Sequence, residues 1–386
     1  TSIGTIKVHS TAYYHKQSKE RFVPLRDILN LKPYQRLTNE AEYQLIKYAM
    51  EFNMTQSGKN ALRHNIIHRS TVSRKMKVLD GSIKEEISKS NSQPKVLYIE
   101  MDEIHANGGN KICPCAIVHE GHSDNLSKRK KLKNVRYFAS SKLSYEELWE
   151  VVYDYVNKKY NIDSFDYIFV SGDGAFGIKN FKNVFPNAIF VLDKFHFRKA
   201  FNYIFKKDNS LSEIAESYLR NNNIKDFRYL VKLQISRYPS QEKYMLEKQT
   251  YLINNIDGIM NQKHEQYQCP CAMEGHVSNA YARYITSSPY GFSLQGLENK
   301  LKLLVYKANK HDLTIEDYYN LKYGINEYTE INNKIKKITN IKYDQKLTSN
   351  HSLEYKINTT IPIFDSPSEN NRLKELISPR QEIYII

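Results

Sequence analysis

Four acidic residues stand out by position: Asp102, Asp173, Asp193 and Glu274. The first three each close a stretch that reads as an apolar strand. These stretches are Lys95 to Asp102, Phe165 to Val170 running on through Ser171-Gly172, and Ala188 to Leu192. In open α/β sheets the carboxyl edge is where loops from separate strands gather side chains around a ligand. A carboxylate beside apolar strands is costly unless a cation or a hydrogen-bond donor compensates it. Hard oxygen donors of this kind suit Mg²⁺ or Mn²⁺ better than zinc. Two such ions about 3.5–4 Å apart would activate a nucleophile and stabilise the leaving oxygen in phosphoryl transfer. Glu274, at the start of a helical stretch, supplies the remaining carboxylate. Singly, each aspartate also fits a turn, since Gly174 follows Asp173 and Asp is favoured in turns.

His196 lies three residues after Asp193, a spacing at which the two side chains meet if a helix begins promptly. It could contact a phosphate, position a displaced base or hold Asp193, or it could be a packing histidine. Lys194, Arg198 and Lys199 make a phosphate-facing helix start or an ordinary solvated surface. The four cysteines form two unusual pairs, Cys113-Pro114-Cys115 and Cys269-Pro270-Cys271. Four converging thiolates would bind a structural Zn²⁺, although Cys-x-Cys is tighter than the usual zinc spacing. Reduced buried thiols are the other reading.

These residues need elements to hold them. Ile6 to Tyr14 and Arg21 to Leu25 read as short strands in an entry segment, residues 1–37. Residues 38–90 hold three short helices and a Ser-rich linker. Thr38 or Asn39 caps the first, the second begins after Thr55, and the third runs Ser70 to Leu79. Arg69, Arg74, Lys75 and Lys77 make this last helix basic, as in a helix-turn-helix DNA reader, or as in a helical cap with a solvated face. Residues 91–199 read as β-β-β-α-β-α-β. Asn107-Gly108-Gly109-Asn110 turns the first hairpin, Asn134 to Ala139 is a third strand, and Ser144 caps a helix with Glu146 and Glu147 in its first turn. Lys128, Arg129, Lys130 and Lys131 form a basic loop between strands. Hairpin strands followed by right-handed crossovers predict a mixed α/β sheet covered by helices. Residues 200–268 show only helical spacing and read as an insertion. Residues 269–310 return as helices carrying Glu274, and 311–386 read as a helical or partly ordered tail.

Composition agrees with a folded chain. The 57 Lys and Arg exceed the 42 Asp and Glu by 15 in 386 residues, which permits DNA or an anionic membrane as partner. No apolar stretch approaches the roughly 18 residues that cross a bilayer. Thr1-Ser2-Ile3-Gly4 has neither a signal-like apolar region nor a Met, which reads as a cytoplasmic chain short of its natural beginning.

With these motifs in place, the sequence resembles bacterial insertion-sequence transposases of the family named after a Lactobacillus reuteri element, also described as an uncharacterised protein family. The resemblance rests on Tyr98-Ile99-Glu100-Met101-Asp102-Glu103, Ser171-Gly172-Asp173-Gly174-Ala175, Leu192-Asp193-Lys194-Phe195-His196 and Glu274-Gly275-His276-Val277-Ser278. Pro33-Tyr34-Gln35-Arg36 and Ser288-Pro289-Tyr290-Gly291 share the family's look, and the likeness covers roughly residues 5–310. It implies a DDE enzyme with a ribonuclease H-like catalytic domain. Asp102, Asp173 and Glu274 would be its acidic ligands for Mg²⁺ or Mn²⁺, and Asp193 and His196 its Asp-x-x-His element. Glu100 and Glu103 compete with Asp102 as the first ligand. The implied activity is cleavage of element ends and transfer of the freed 3′-hydroxyl into target DNA, by a homodimer or larger synaptic assembly on the nucleoid. A same-fold nuclease or junction resolvase, and a catalytically silent DNA-binding protein, stand as alternatives.

Overall fold

The computed structural model describes residues 12–14, 21–23, 26, 35–62, 65–77, 87–90, 93–123, 131–205, 209–286, 291–310 and 312–323. The chain divides into two compact units, residues 1–83 with 313–386, and residues 84–312.

In the first unit, β1 (Tyr13–Tyr14) pairs antiparallel with β2 (Arg21–Phe22). The remaining residues of the expected entry strands lie outside the described set. Helix Asn39–Glu51 starts at Thr38, whose side chain accepts from the Ala41 N–H and so satisfies one unpaired donor of the first turn. Ala41, Leu45, Ile46 and Ala49 recur at helical spacing and are fully buried. The next helix, Met54–Asn60, is capped by Asn53 rather than begun after Thr55, because the Asn53 side chain takes the Gln56 N–H at 2.8 Å. At Gly58 a Cβ would lie 1.9 Å from the Ile67 carbonyl oxygen, so only glycine permits the close approach to the third helix, Arg69–Lys77.

Helix Ile315–Tyr323 belongs to this same unit and closes it through a buried carboxylate. Glu42, 1% exposed, accepts from Lys322 Nζ at 2.6 Å and Tyr318 Oη at 2.8 Å, and pairs with Lys75. Burial alone would raise the Glu42 pKa, but Lys322, Lys75 and Tyr318 together hold it below the usual carboxylate range. A depressed carboxyl contributes stability that is present above its unfolded value, about 4.3, and lost as pH falls through the folded value. We therefore expect the thermal stability of this unit to fall as pH drops below about 4.3, and Glu42→Gln to flatten that fall. Identical acid profiles for the two proteins in circular-dichroism melts would refute this.

The second unit is built on a five-stranded mixed sheet of order β5-β4-β3-β6-β7. Its strands are β3 (Val96–Ala106), β4 (Lys111–His119), β5 (Arg136–Ala139), β6 (Tyr167–Gly172) and β7 (Ile189–Leu192). β3, β4 and β5 pair antiparallel, whereas β3, β6 and β7 run parallel. The turn after β3 uses left-handed backbone at Asn107, Gly108 and Gly109, as the Asn-Gly-Gly run predicts. β3 does not end at Asp102. Antiparallel pairing continues from Asp102 opposite Cys115 to Ala106 opposite Lys111, so the hairpin keeps the strand extended after its parallel partner stops at Glu100–Ser171.

Side chains alternate between the faces, and each face is covered by helices. Leu97, Ile99 and Met101 pack with Leu148, Trp149, Val152 and Val156 of helix Tyr145–Lys159, which carries the Ser144–Glu147 capping box. Ile104, Ala106, Cys113, Cys115 and Ile117 face Met273, Val277, Tyr281 and Leu297 on the other side. Between these segments, five helices from Lys194 to Met260 form a second core around Phe197, Phe201, Phe227 and Val231. This insertion covers the sheet edge. Asn261 Nδ2 donates to the Phe190 carbonyl and Gln262 Nε2 to that of Leu192, each at 2.8 Å, so the carbonyls of edge strand β7 find partners. No helix among the described residues is long and apolar enough to cross a membrane.

Candidate active site

The strand register sets the three aspartates level. Glu100 lies opposite Ser171, and Gly172 opposite Leu192. Carrying that register forward places Asp102, Asp173 and Asp193 in one row across β3, β6 and β7. Each aspartate accepts a nearby backbone N–H: Asp102 Oδ1 from Glu103 N at 2.8 Å within β3, Asp173 Oδ1 from Ala175 N at 2.8 Å, and Asp193 Oδ1 from Phe195 N at 3.1 Å. Gly174 takes φ +79°, and a Cβ there would lie 2.2 Å from Asn255 Oδ1. Tyr251 Oη donates to the Asp173 carbonyl at 2.7 Å, so the insertion also pins this loop.

Glu274 is brought to the row by helix Met273–Val277, which continues through a π turn at Ser278–Ala282 into Arg283–Ile285. Donor atoms of Asp102, His196 and Glu274 all lie within 4.8 Å of one another. Residues 102, 196 and 274 come from three distant segments, and two carboxylates and an imidazole in that space can hold a cation. Asp173 stands close enough to act on Asp102 electrostatically. Burial first, then the charges of Asp173 and Glu274, push Asp102 up to about 6 against the opposing pull of the Glu103 N–H and His196. Burial likewise raises the Asp193 pKa. His196 Nε2 is 3.9 Å from Asp193 Oδ2, so the Asp-x-x-His spacing does bring the two side chains together.

The three acids of the first motif go to different partners. Glu103 accepts the Tyr145 hydroxyl and lies 3.6 Å from His105. Glu100 is buried, and its Oε1 accepts from His119 Nε2 at 3.1 Å. His119 Nδ1 accepts the Gly121 N–H, which leaves the ring proton of the neutral form on Nε2. Only Asp102 of the three joins Glu274 and His196.

The basic residues divide as well. Arg69, Arg74, Lys77, Lys131, Lys194 and Lys199 are exposed. Lys75 is engaged by Glu42, and Arg198 makes a two-pronged pair with Glu216 at 2.6 and 3.1 Å, backed by Arg220. Both cations are committed within the fold, a partnership invisible to local spacing. Lys128, Arg129 and Lys130 lie outside the described residues.

The cysteines are packed one by one. Cys115 Sγ donates to the Asp102 carbonyl at 3.2 Å and Cys271 Sγ to Glu100 Oε2 at 3.5 Å, while Cys269 Sγ lies 3.5 Å from His122 Nε2. Burial pushes the Cys113 thiol up to about 11 and those of Cys115 and Cys271 well above the usual range. Among the described residues, no set of three cysteine sulfurs gathers as closely as the Asp102 group.

Residues 1–319 match the family described as Uncharacterised protein family (UPF0236). Similar proteins occur in Caldanaerobacter subterraneus subsp. tengcongensis. One UPF0236 protein, whose name joins eleven loci, is 26% identical over 321 residues, covering 81% of this chain and 68% of its own. Another, joining four loci, matches to the same extent, and a third, joining two, is matched over 64% of its length. The chain thus spans about two thirds of these relatives, and its match over residues 1–319 makes it a member of the UPF0236 family.

Proposed function

We propose that this chain is a DDE-type transposase that cleaves DNA at element ends and transfers the freed 3′-hydroxyl into target DNA. The carrying observation is the meeting of Asp102 and Glu274 with His196, beside the Asp173 and Asp193 strand ends, at one edge of the mixed sheet. The order β5-β4-β3-β6-β7, antiparallel on one side and parallel on the other, agrees with a ribonuclease H-like catalytic domain. The helical insertion between Asp193 and Glu274 supports the same reading. So do relatives whose names join up to eleven loci, the footprint expected of an element that copies itself.

The donor set fits a hard divalent cation. Oxygen ligands dominate it, and Asp102 carries the unfavourable proximity of Asp173 and Glu274 that a cation would relieve. Asp102, Asp173 and Glu274 would hold Mg²⁺ or Mn²⁺, which supplies activation of the attacking oxygen and stabilisation of the leaving one. His196 Nε2 lies 3.9 Å from Asp193 Oδ2 beside the same space, where the imidazole can contact a phosphate oxygen. Lys194 and Lys199 offer exposed cations beside it, and Arg69, Arg74 and Lys77 offer a basic face in the first unit. Such contacts position the duplex, and positioning with charge neutralisation is most of what phosphoryl transfer asks of a protein. Two DNA ends joined in one event call for a homodimer or larger assembly, working on the nucleoid.

A joining assay tests this. Full-length protein, Mg²⁺, a duplex carrying the element end with a free 3′-hydroxyl and a separate target are expected to give covalently joined product. Hydrolysis without joining would make the protein a nuclease, and binding without either reaction would make it a silent DNA-binding protein.

A further inference from the structure

Glu274 is the one acid of the site that stands on a helix and not beside a strand, and it is exposed. Something must hold that helix at the correct distance from Asp102 and Asp173. The segment just before it, Tyr267 to Ala272, is fastened to the sheet at two points. Glu100 Oε2 accepts the Ala272 N–H at 2.9 Å, and Tyr267 Oη accepts the Cys271 N–H at 3.1 Å. Tyr267 Oη in turn lies 3.1 Å from Ser171 Oγ. Glu100 and Ser171 are direct register partners on β3 and β6, each two residues before a site aspartate.

We infer that Glu100 and Tyr267 are positioning residues, a buried two-point anchor that fixes Glu274 against Asp102 and Asp173; this rests on reading those three acids as one metal site. The geometry distinguishes an anchor from general packing. The Ala272 N–H, which the helix start leaves without an intrahelical partner, is taken by Glu100 of β3, and the Cys271 N–H just before it by Tyr267, whose hydroxyl reaches Ser171 of β6. Both side chains are themselves held. His119 fixes the other oxygen of Glu100 while stacking on Tyr98 at 5.2 Å between ring centres, and Phe169 packs edge-on against Tyr267 at 5.2 Å. A displacement of Glu100 or Tyr267 would therefore move the first turn of the Glu274 helix relative to strands that stay in place.

Residues that orient metal ligands from behind typically change metal affinity or activity about 10–100-fold when altered. Tyr267→Phe removes one hydroxyl and keeps the ring, while Glu100→Ala removes both acceptors and Glu100→Gln restores one for Ala272. In full-length protein, Mn²⁺ titration followed by electron paramagnetic resonance should show about tenfold weaker binding for Tyr267→Phe and Glu100→Ala. Glu100→Gln should fall between Glu100→Ala and the parent. Amide exchange should accelerate across Ala272–Ile285 while β3 and β6 stay protected, and affinity for duplex DNA should be unchanged. Parent-like Mn²⁺ affinity together with parent-like exchange over Ala272–Ile285 would overturn the anchor. A parent that binds no Mn²⁺ would instead remove the metal reading, and the exchange comparison would still decide whether these residues hold the helix. If Glu100→Ala fails to fold, Tyr267→Phe carries both measurements.

Discussion

Asp173→Asn is expected to lower Mg²⁺-dependent strand cleavage at least about a thousandfold, equivalent to ~4 kcal/mol of transition-state stabilisation. The substitution isolates charge from shape. Asparagine keeps an oxygen to accept the Ala175 N–H, so the turn at Gly174 and its contact with the insertion survive. What disappears is one negative charge from a site where Asp173 and Glu274 both act on Asp102. Asp102→Asn should behave alike, because its Oδ1 also serves a local backbone N–H. DNA affinity should hold in both variants, since neither substitution removes a cation available to phosphates. Cleavage surviving within tenfold of the parent, with the assembly formed and Mg²⁺ present, would remove Asp173 from the reacting centre.

The second large effect concerns stability and falls in the other unit. Glu42→Ala should destabilise the helical unit by about 3–5 kcal/mol, the usual consequence of leaving a buried charge without its partner. Lys322 is 12% exposed and would lose its carboxylate, and Tyr318 Oη would lose its acceptor. Tyr318→Phe, which removes only one of the bonds, should cost far less, about 1 kcal/mol. Denaturant unfolding monitored by circular dichroism reads both. A Glu42→Ala loss no larger than that of Tyr318→Phe would mean that packing and not this network closes the unit.

Much of the row of acids was legible in the sequence because local pattern and chemistry coincided there. Alternation around Tyr98 to Asp102 fixed the face of β3, and Asn107-Gly108-Gly109 announced the hairpin. Ser144 with Glu147 three residues on marked a helix start that the structure reproduces. The Asp193–His196 spacing is short enough for a helix to enforce. What the sequence did not reveal were partnerships between distant segments. Nothing near Lys75 points to Glu42, 33 residues away, or near Glu42 to Lys322, 280 away. Arg198 reads as a phosphate contact until Glu216 folds across it. The ambiguity among Glu100, Asp102 and Glu103 also needed three dimensions, since His119 with Ala272, Glu274 with His196, and Tyr145 lie far from one another in sequence. The end of β3 was misplaced for a related reason. An aspartate suggests a strand terminus, but the β4 hairpin carries the strand four residues further.

The gathering of the acids into one metal site is tested most directly by anomalous diffraction from crystals of the full-length protein with Mn²⁺ and element-end DNA, recorded near the manganese edge. Anomalous density is expected between the carboxylates of Asp102, Asp173 and Glu274, with His196 beside it. Density bound elsewhere, or none at the row of acids while DNA occupies the protein, would contradict it.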